Sequence, residues 1–328
     1  MIIEILTLLI ISFIATFVLT KIAIKKLIRS NLKGVDVHKL KKVDVAESGG
    51  LVFSIVIVFC ILIYIGFLVY TKNQDTTLII SLLAATTAII IMAFLGFIDD
   101  VLNLKWRHKI LLPVFAAVPL IVLEAGTTTM KLPFFGIIDF GLWYLWFLIP
   151  IAVIGASNMT NMLAGFNGLE TGMGLITGMA LFLFALMHGK IEAIIILAPF
   201  IGAMAAFLIF NWYPSKIFPG DVGTFTIGVV LITAVIMGSM QKFGILIFTL
   251  FILNFFLFLI WRFMYKRKYP YVKFAEVDED GIIKPKNPFT VYWMLPYFFR
   301  LNEKQNVAAI LSMQILICAL SFLVVGFI

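Results

Sequence analysis

The sequence predicts an all-α polytopic membrane protein with about ten transmembrane helices and a small β-hairpin-like element in its last polar loop. Of the 328 residues, 62% are hydrophobic and only 13% are charged, and the mean hydropathy is +1.11. A soluble domain is typically about one quarter charged and less than half apolar, so this composition excludes an ordinary soluble fold. We expect residues 1–328 to form a single integral-membrane domain.

Ten apolar segments are candidates for the roughly 20-residue helices that cross a bilayer. The predicted helices cover residues 2–23, 50–70, 77–98, 110–125, 142–157, 172–187, 191–210, 222–239, 243–264 and 307–327. The fourth and the sixth are the shortest. The first has no basic start and no small-residue cleavage site, so we interpret it as a retained helix and not as a signal peptide.

Basic residues are distributed unequally between alternate connections. Together with Lys21, the segments 24–49, 99–109, 158–171, 211–221 and 262–306 hold 21 of the 25 Lys and Arg residues. Cytoplasmic loops of membrane proteins are enriched in Lys and Arg. We therefore expect this face to be the cytoplasmic side of the cell membrane and both termini to lie on its outer side. The formal charge of +8 follows from this orientation, so it does not indicate nucleic-acid binding.

The last connection, residues 262–306, contains the one predicted β element. Two short extended runs flank the acidic turn Asp278-Glu279-Asp280-Gly281. Extended runs separated by a turn of this type are typical of a hairpin. We therefore expect a small hairpin appended to the membrane body.

Polar residues recur where apolar segments reach the basic face. Asp99 and Asp100 are adjacent, which is costly beside lipid because the two acids repel each other, so a cation or a reaction normally explains such a pair. Asn158 and Asn161 are three residues apart, which places both amides on one helical face. Asp221 follows Gly220 at the start of the eighth predicted helix. Alone, the asparagines could be polar contacts between helices and Asp221 a helix cap.

Considered as a set, these side chains indicate a site for a hard cation. Carboxylate and amide oxygens suit Mg²⁺, which uses one or two protein oxygens and completes its shell with phosphates and water. Zinc is disfavoured because the three histidines are scattered and neither cysteine is near them. Lys109 is a candidate for binding phosphate, whereas we interpret Lys105 and Arg107 as anchors on the basic face.

Four blocks of sequence resemble one enzyme family, the polyprenyl-phosphate N-acetylhexosamine-1-phosphate transferases. The blocks are GFIDDVLNLKWRHK at 96–109, NMTNMLAGFNGLE at 158–170, NWYPSK at 211–216 and FPGD at 218–221. The resemblance is strongest to the eukaryotic and archaeal branch that transfers N-acetylglucosamine (GlcNAc) 1-phosphate from UDP-GlcNAc to dolichyl phosphate. Bacterial relatives carry acids where this chain has Ala164 and Asn167, and the short last loop favours an archaeal origin.

The resemblance implies a role for each candidate residue. Asp221 and Asn161 would hold Mg²⁺, with Mn²⁺ as a substitute, and Asp99, Asp100 and Lys109 would be the catalytic residues. The implied UDP-sugar contacts are Val35, Asp36, Val37, Glu47, Asn167, Phe218, Lys266, Arg267 and Lys268. The implied lipid-phosphate contacts are Lys109, Asn158, Thr160 and Asn161. The eukaryotic enzymes have Arg-His-Arg where this chain has residues 266–268, so the contacts of that segment differ in detail.

The expected activity is the transfer of GlcNAc 1-phosphate from UDP-GlcNAc to a polyprenyl phosphate of the dolichyl type, which gives polyprenyl-diphosphate-GlcNAc and UMP. This would be the first membrane step of N-glycan-type assembly. Whether Asp99 or Asp100 deprotonates or orients the lipid phosphate, or acts on the metal, stays open, as does a covalent intermediate. The expected partners are UDP-GlcNAc, polyprenyl phosphate and the lipid bilayer, and a homodimer is an open possibility. The alternatives are another UDP-N-acetyl sugar and a secondary transporter, whose acids would lie near the middle of the membrane.

Overall fold

The computed structural model describes residues 2–39, 41–71, 75–132, 136–269, 272 and 274–326. The chain is mostly helical, which confirms the predicted fold class. The α-helices are α1 Ile2–Arg29, α2 Gly50–Tyr70, α3 Thr76–Leu102, α4 Trp106–Leu111, α5 Val114–Val122, α6 Ile149–Met162, α7 Leu169–Met187, α8 Ile191–Asn211, α9 Gly220–Met237, α10 Gln241–Ile247, α11 Thr249–Ile260, α12 Val291–Phe298 and α13 Glu303–Gly326. Two π-helical turns, Tyr144–Leu148 and Trp261–Tyr265, precede α6 and follow α11.

Eight helical segments within the described residues are long and apolar enough to cross a membrane. The chain is therefore an integral membrane protein, with slightly fewer continuous spans than predicted. The predicted ninth helix, 243–264, is divided into α10 and the segment Thr249–Tyr265, and the two parts meet at a 60° bend, as in a broken span or a re-entrant loop. The segments of α8 and α9 that could cross the membrane are the most buried, so these two helices form the centre of the bundle.

Glycines bring α3 and α6 close to α9. A Cβ atom on Gly96 of α3 would lie 2.5 Å from the Cα of Val222, and one on Gly228 of α9 would lie 2.6 Å from the Cα of Ser157. Real Cβ atoms do not approach other atoms so closely, so both crossings require glycine. The contacts align the ends of α3 and α6 with the start of α9. We call this end of the bundle, which contains Leu102, Met162 and Gly220, the site face.

The prediction of one continuous fourth helix over 110–125 is wrong. The segment contains α4 and α5, which are separated at Leu112–Pro113 because proline lacks the N–H that would continue the helix. Lys109 contacts Asp221 at the start of α9, and a Cβ on Gly126 would lie 2.5 Å from the carbonyl oxygen of Ile236 near its end. The two ends of this segment therefore lie near the two ends of α9, and α5 between them packs against α3 and α6.

Several predicted helices were too short at the site face. The third predicted helix ends at 98, but α3 continues to Leu102 and includes Asp99 and Asp100. Similarly, α6 extends to Met162, α7 begins at Leu169 and α13 begins at Glu303. Hydropathy falls where polar residues begin, although a helix continues when its polar side chains find partners. The predicted loops 99–109 and 158–171 are accordingly shorter than expected.

The predicted hairpin in the last loop is confirmed. Strands β5 Glu276–Val277 and β6 Ile283–Lys284 pair antiparallel around the acidic turn. Two further hairpins were not predicted, β1 Lys33–Asp36 with β2 Val43–Ala46, and β3 Thr129–Leu132 with β4 Gly136–Asp139. The first hairpin is attached to the site face, because the N–H of Phe218 donates to the carbonyl of Ala46 at 2.7 Å.

Candidate active site

Five predicted residues meet at the site face. Asp99 and Asp100 lie in the last turn of α3, Lys109 lies in α4, Asn161 lies at the end of α6, and Asp221 lies in the first turn of α9. Asp100, Lys109 and Asn161 each contact Asp221 directly. Asp99 contacts Lys109 and is thereby connected to Asp221. The helix ends therefore assemble a polar cluster from parts of the chain more than 100 residues apart.

Lys109 occupies the centre of this cluster. Its Nζ atom lies 2.7 Å from Oδ2 of Asp99 and 2.5 Å from Oδ2 of Asp221. Burial alone would lower the pKa of Lys109, but the two carboxylates more than offset it, so the pKa is raised above its ordinary value. Lys109 is therefore charged at neutral pH and supplies a fixed positive charge beside Asp221.

Asp99 and Asp100 point in different directions. Asp99 is 2% exposed, pairs with Lys109 and accepts the N–H of Leu104 at 3.1 Å through Oδ1. Asp100 instead accepts the N–H of Asp221 at 2.6 Å and the N–H of Val222 at 3.4 Å. Asp100 thus caps α9 from a different helix, and it stabilises backbone donors that would otherwise lack partners.

The cap explains the glycine before Asp221. Gly220 has φ +69°, a left-handed conformation that favours glycine. A Cβ atom at this position would lie 2.5 Å from Oδ2 of Asp100. Pro219, the residue that precedes α9, provides no side-chain cap. The interpretation of Asp221 as the cap of its own helix is therefore not needed, because Asp100 performs that role.

Asn161 contacts Asp221 from the opposite side. Its Nδ2 donates to Oδ1 of Asp221 at 2.5 Å and to Oγ1 of Thr224 at 2.8 Å. A partly exposed carboxylate beside an amide is a donor set that suits Mg²⁺ when substrate phosphates and water complete the coordination. In a metal complex the amide ligand would be Oδ1 of Asn161, and Lys109 would have to share Asp221 with the metal.

The other two predicted lipid-phosphate contacts have partners within the helices. Asn158 donates through Nδ2 to the carbonyl of Ile110 at 3.1 Å and to that of Ile154 at 2.9 Å, so it connects α6 to α4. Thr160 is buried, and its hydroxyl donates to the carbonyl of Ala156 at 2.7 Å. Asn158 therefore positions the helix that carries Lys109.

The predicted UDP-sugar residues form a second group beside the first. Asn167 is 3% exposed, and its Nδ2 donates to Oδ2 of Asp36 at 3.2 Å. Val35 precedes Asp36 in β1, and Val37 follows directly after the strand. A Cβ atom on Gly34 would lie 3.0 Å from Oε2 of Glu47 and 3.3 Å from Cδ2 of Phe218. The first hairpin therefore brings residues of the segments 34–37, 47, 167 and 218 together.

The structure does not bring residues 266–268 into either group. Lys266, Arg267 and Lys268 follow the π-helical turn and are exposed. Within this segment the N–H of Lys268 donates to the carbonyl of Tyr265 at 3.0 Å, and the Nζ of Lys268 lies 5.4 Å from the ring centre of Tyr269. Their predicted role as sugar and diphosphate contacts stays a prediction.

Three residues of the site were missed from the sequence. Lys39 forms ion pairs with Asp36 at 3.3 Å and with Glu303 at the start of α13. His38 is buried, its ring lies 4.6 Å from that of Phe166, and burial lowers its pKa to about 4, so it is neutral at pH 7. Lys39 and Asp36 are three residues apart, a spacing that could have indicated the first pair, but no local signal indicates Glu303.

The chain is similar to a described protein family and to several named proteins. The family described as glycosyl transferase family 4 matches residues 82–239, which run from within α3 to just beyond the end of α9. A protein of Saccharolobus solfataricus is 33% identical over 310 residues, which cover 93% of this chain and 91% of that protein. Its name, given provisionally, is UDP-N-acetylglucosamine–dolichyl-phosphate N-acetylglucosaminephosphotransferase.

Two further relatives, which match a smaller part of this chain, are named for two different reactions. A Dictyostelium discoideum protein with the same name, without the provisional mark, is 31% identical over 265 residues, which cover 69% of this chain and 64% of that protein. The phospho-N-acetylmuramoyl-pentapeptide-transferase of Desulforamulus reducens is 36% identical over 149 residues, which cover 41% of this chain and 44% of that protein.

Proposed function

This chain belongs to glycosyl transferase family 4, and we propose that it transfers GlcNAc 1-phosphate from UDP-GlcNAc to a polyprenyl phosphate of the dolichyl type. The products are polyprenyl-diphosphate-GlcNAc and UMP, and the reaction begins the assembly of an N-glycan-type saccharide. The observation that carries the proposal is the polar cluster of Asp99, Asp100, Lys109, Asn161 and Asp221 at one face of the bundle. The names of the relatives that cover most of this chain support the same reaction.

The reaction is a displacement at phosphorus. An oxygen of the lipid phosphate attacks the β-phosphorus of UDP-GlcNAc, the bond between that phosphorus and the bridging oxygen breaks, and UMP leaves with the bridging oxygen. Asp221 and Asn161 would hold Mg²⁺, which when bound neutralises charge on the diphosphate. Lys109 binds the acceptor phosphate, since its Nζ is fixed in the cluster by Asp99 and Asp221.

The positions of the acids argue against the alternative of a secondary transporter. Transporter sites lie near the middle of the membrane, where helices are interrupted. Here Asp99 and Asp100 lie in the last turn of α3, and Asp221 lies in the first turn of α9. A site at helix ends is open to water and to a soluble sugar nucleotide, which suits an enzyme.

Release of UMP by the purified protein tests the proposal. We expect UMP to form from UDP-GlcNAc only when both polyprenyl phosphate and Mg²⁺ are present, because the acceptor supplies the nucleophile and the metal the charge neutralisation. Mn²⁺ should support the reaction in place of Mg²⁺. A panel of UDP-sugars with dolichyl and undecaprenyl phosphate would identify the preferred donor and acceptor. Uptake of a sugar nucleotide into vesicles without UMP formation would instead support the transporter.

Orientation in the cell membrane is a second part of the proposal, because a cytoplasmic site is needed for cytoplasmic UDP-GlcNAc. Lys190→Cys should react with an impermeant thiol reagent from outside, and Asp280→Cys should react only from the cytoplasmic side. Residue 73, another suitable position, lies outside the described residues. The unaltered chain is the control, because Cys60 and Cys318 are buried and should stay unlabelled. The reverse labelling pattern would contradict the predicted orientation.

A further inference from the structure

A buried polar cluster surrounds Asn167, and of its members only Asp36 was among the predicted site residues. We call it the amide clamp and define it as Asp36, Lys39, Ser215 and Glu303. The four residues come from the first hairpin, the segment after α8 and the start of α13, and all of them contact Asn167 or each other. The clamp therefore connects three separate parts of the site face at one side chain.

The clamp determines which way the amide of Asn167 points. Oδ1 of Asn167 accepts the N–H of Ser215 at 2.6 Å, and Nδ2 donates to Oδ2 of Asp36 at 3.2 Å. A rotated amide would place its NH₂ group against the Ser215 donor and its oxygen against the Asp36 carboxylate, so both contacts would become repulsive. The backbone N–H of Asn167 also donates to Oε1 of Glu303 at 2.7 Å, which fixes the main chain.

One cation balances the two acids of the clamp. The side chains of Asp36 and Glu303 are 4% and 3% exposed, whereas that of Lys39 is 14% exposed. Lys39 pairs with both acids, and its Nζ lies 3.7 Å from the ring centre of Tyr213. Buried carboxylates need a charge partner and hydrogen bonds to stay ionised. Lys39 is therefore the cation that balances both acids and holds the Asp36 carboxylate beside the amide.

We propose that Asp36, Lys39 and Glu303 are positioning residues that lock the Asn167 amide in one orientation and thereby make the nucleotide site selective for uracil over cytosine. The inference rests on the proposed function, in which Asn167 lies in the UDP-sugar site. An amide has two N–H donors and two acceptor positions on its oxygen. The clamp uses one of each, so one donor and one acceptor are left for a ligand, on fixed sides.

The chemistry of the two bases explains why orientation matters. Uracil presents an N3–H donor beside a carbonyl acceptor, whereas cytosine presents an N3 acceptor beside an amino donor. An amide that matches uracil in one orientation matches cytosine only after it is rotated by half a turn. A site that fixes its hydrogen-bonding groups rejects the mismatched ligand strongly, because polar groups would be left unpaired.

Binding of UMP and CMP to the purified full-length protein tests the proposal. We expect the unaltered protein to bind UMP at least about 100-fold more tightly than CMP. Lys39→Met should reduce this ratio to below about tenfold, because a loosened amide can rotate toward CMP. KM for UDP-GlcNAc should rise, while kcat at saturating donor should stay within about threefold, since Lys39 does not contact the phosphate cluster.

Three further variants separate positioning from folding. Lys39→Arg keeps the cation and should retain selectivity for UMP. Asp36→Asn replaces the fixed acceptor by an amide that can present either an oxygen or an NH₂ group to Nδ2 or Oδ1 of Asn167, so it should reduce selectivity even if Lys39→Met does not fold. Lys33→Met is the matched control, because Lys33 pairs with Asp44 at 2.5 Å in the same hairpin but on the exposed side. It should change neither affinity.

The outcomes distinguish this proposal from the proposed function. If the unaltered protein forms UMP from UDP-GlcNAc but Lys39→Met or Asp36→Asn, correctly folded, keeps the original UMP-to-CMP ratio, the clamp does not set selectivity. Equal binding of UMP and CMP by the unaltered protein would overturn the clamp proposal in the same way. If no UMP forms under any condition, the proposed function fails independently of the nucleotide-binding measurement.

Discussion

Asp221→Asn should reduce the rate of UMP formation by at least about 10³-fold and leave the protein folded. Both carboxylate oxygens of Asp221 face hydrogen-bond donors, Nδ2 of Asn161 on one side and Nζ of Lys109 on the other. An amide would set its NH₂ group against one of these donors, and it would lack the negative charge that holds Mg²⁺. The side chain lies at a partly exposed helix end, so its replacement should leave the core intact.

Glu192→Gln is the matched control for this prediction. Glu192 lies in the first turn of α8, as Asp221 lies in the first turn of α9, so the two changes remove the same charge from equivalent helix positions. The control should retain normal activity. The measurement is UMP formation over a Mg²⁺ titration, with thermal unfolding in detergent. An Asp221→Asn protein with normal turnover and an unchanged Mg²⁺ requirement would remove Asp221 from the metal site.

Asp99→Asn and Asp100→Asn should both impair activity but in different ways. Asp99 contacts Lys109, so its replacement should reduce kcat by about 10²–10⁴-fold, the range for the loss of a group that handles a proton or positions the reacting phosphate. Asp100 caps α9, so its replacement should also lower the free energy of unfolding by about 1 kcal/mol. Measurement of kcat and of the free energy of unfolding for both variants distinguishes the two acids. Asp99→Asn should lose rate with little loss of stability, whereas Asp100→Asn should lose stability as well.

Gly220→Ala provides a test of the cap that does not alter any charge. Its new Cβ would displace the Asp100 carboxylate, since it would lie 2.5 Å from Oδ2. The single variant should impair the rate as Asp100→Asn does, and it should be less stable than Asp100→Asn because alanine at φ +69° also strains the backbone. In the double variant the loss of stability should be about 1 kcal/mol smaller than the sum of the single losses, because both changes remove the same cap. Fully additive losses, or a stable and active Asp100→Asn protein, would contradict the role of Asp100 as the cap.

The sequence was sufficient to predict which residues form the polar cluster at the site face. Charge asymmetry assigns alternate connections to one face, so the acids and amides at those helix ends share that face. The different roles of Asp99 and Asp100 could not be predicted, because adjacent residues on a helix point about 100° apart and the direction depends on how α3 packs on α9. The close approach at Gly96 decides that packing.

Other features depend on distant contacts or on local breaks. Lys39 and Glu303 are 264 residues apart, so a single sequence contains no signal that pairs them. The split of the fourth helix was visible in principle at Pro113, but a hydropathy average over the segment does not register a missing backbone donor. The first hairpin was missed because its four-residue strands are short and partly polar.

The proposed reaction transfers GlcNAc together with its phosphate, and not the sugar alone, to the lipid. UDP-GlcNAc labelled at the β-phosphorus distinguishes these outcomes, because the bond that breaks lies between that phosphorus and the bridging oxygen. Incubated with the purified protein, polyprenyl phosphate and Mg²⁺, the label should move into the organic-solvent-soluble lipid while unlabelled UMP appears in water. Label that stays in water as UDP, while the lipid gains GlcNAc, would contradict the account.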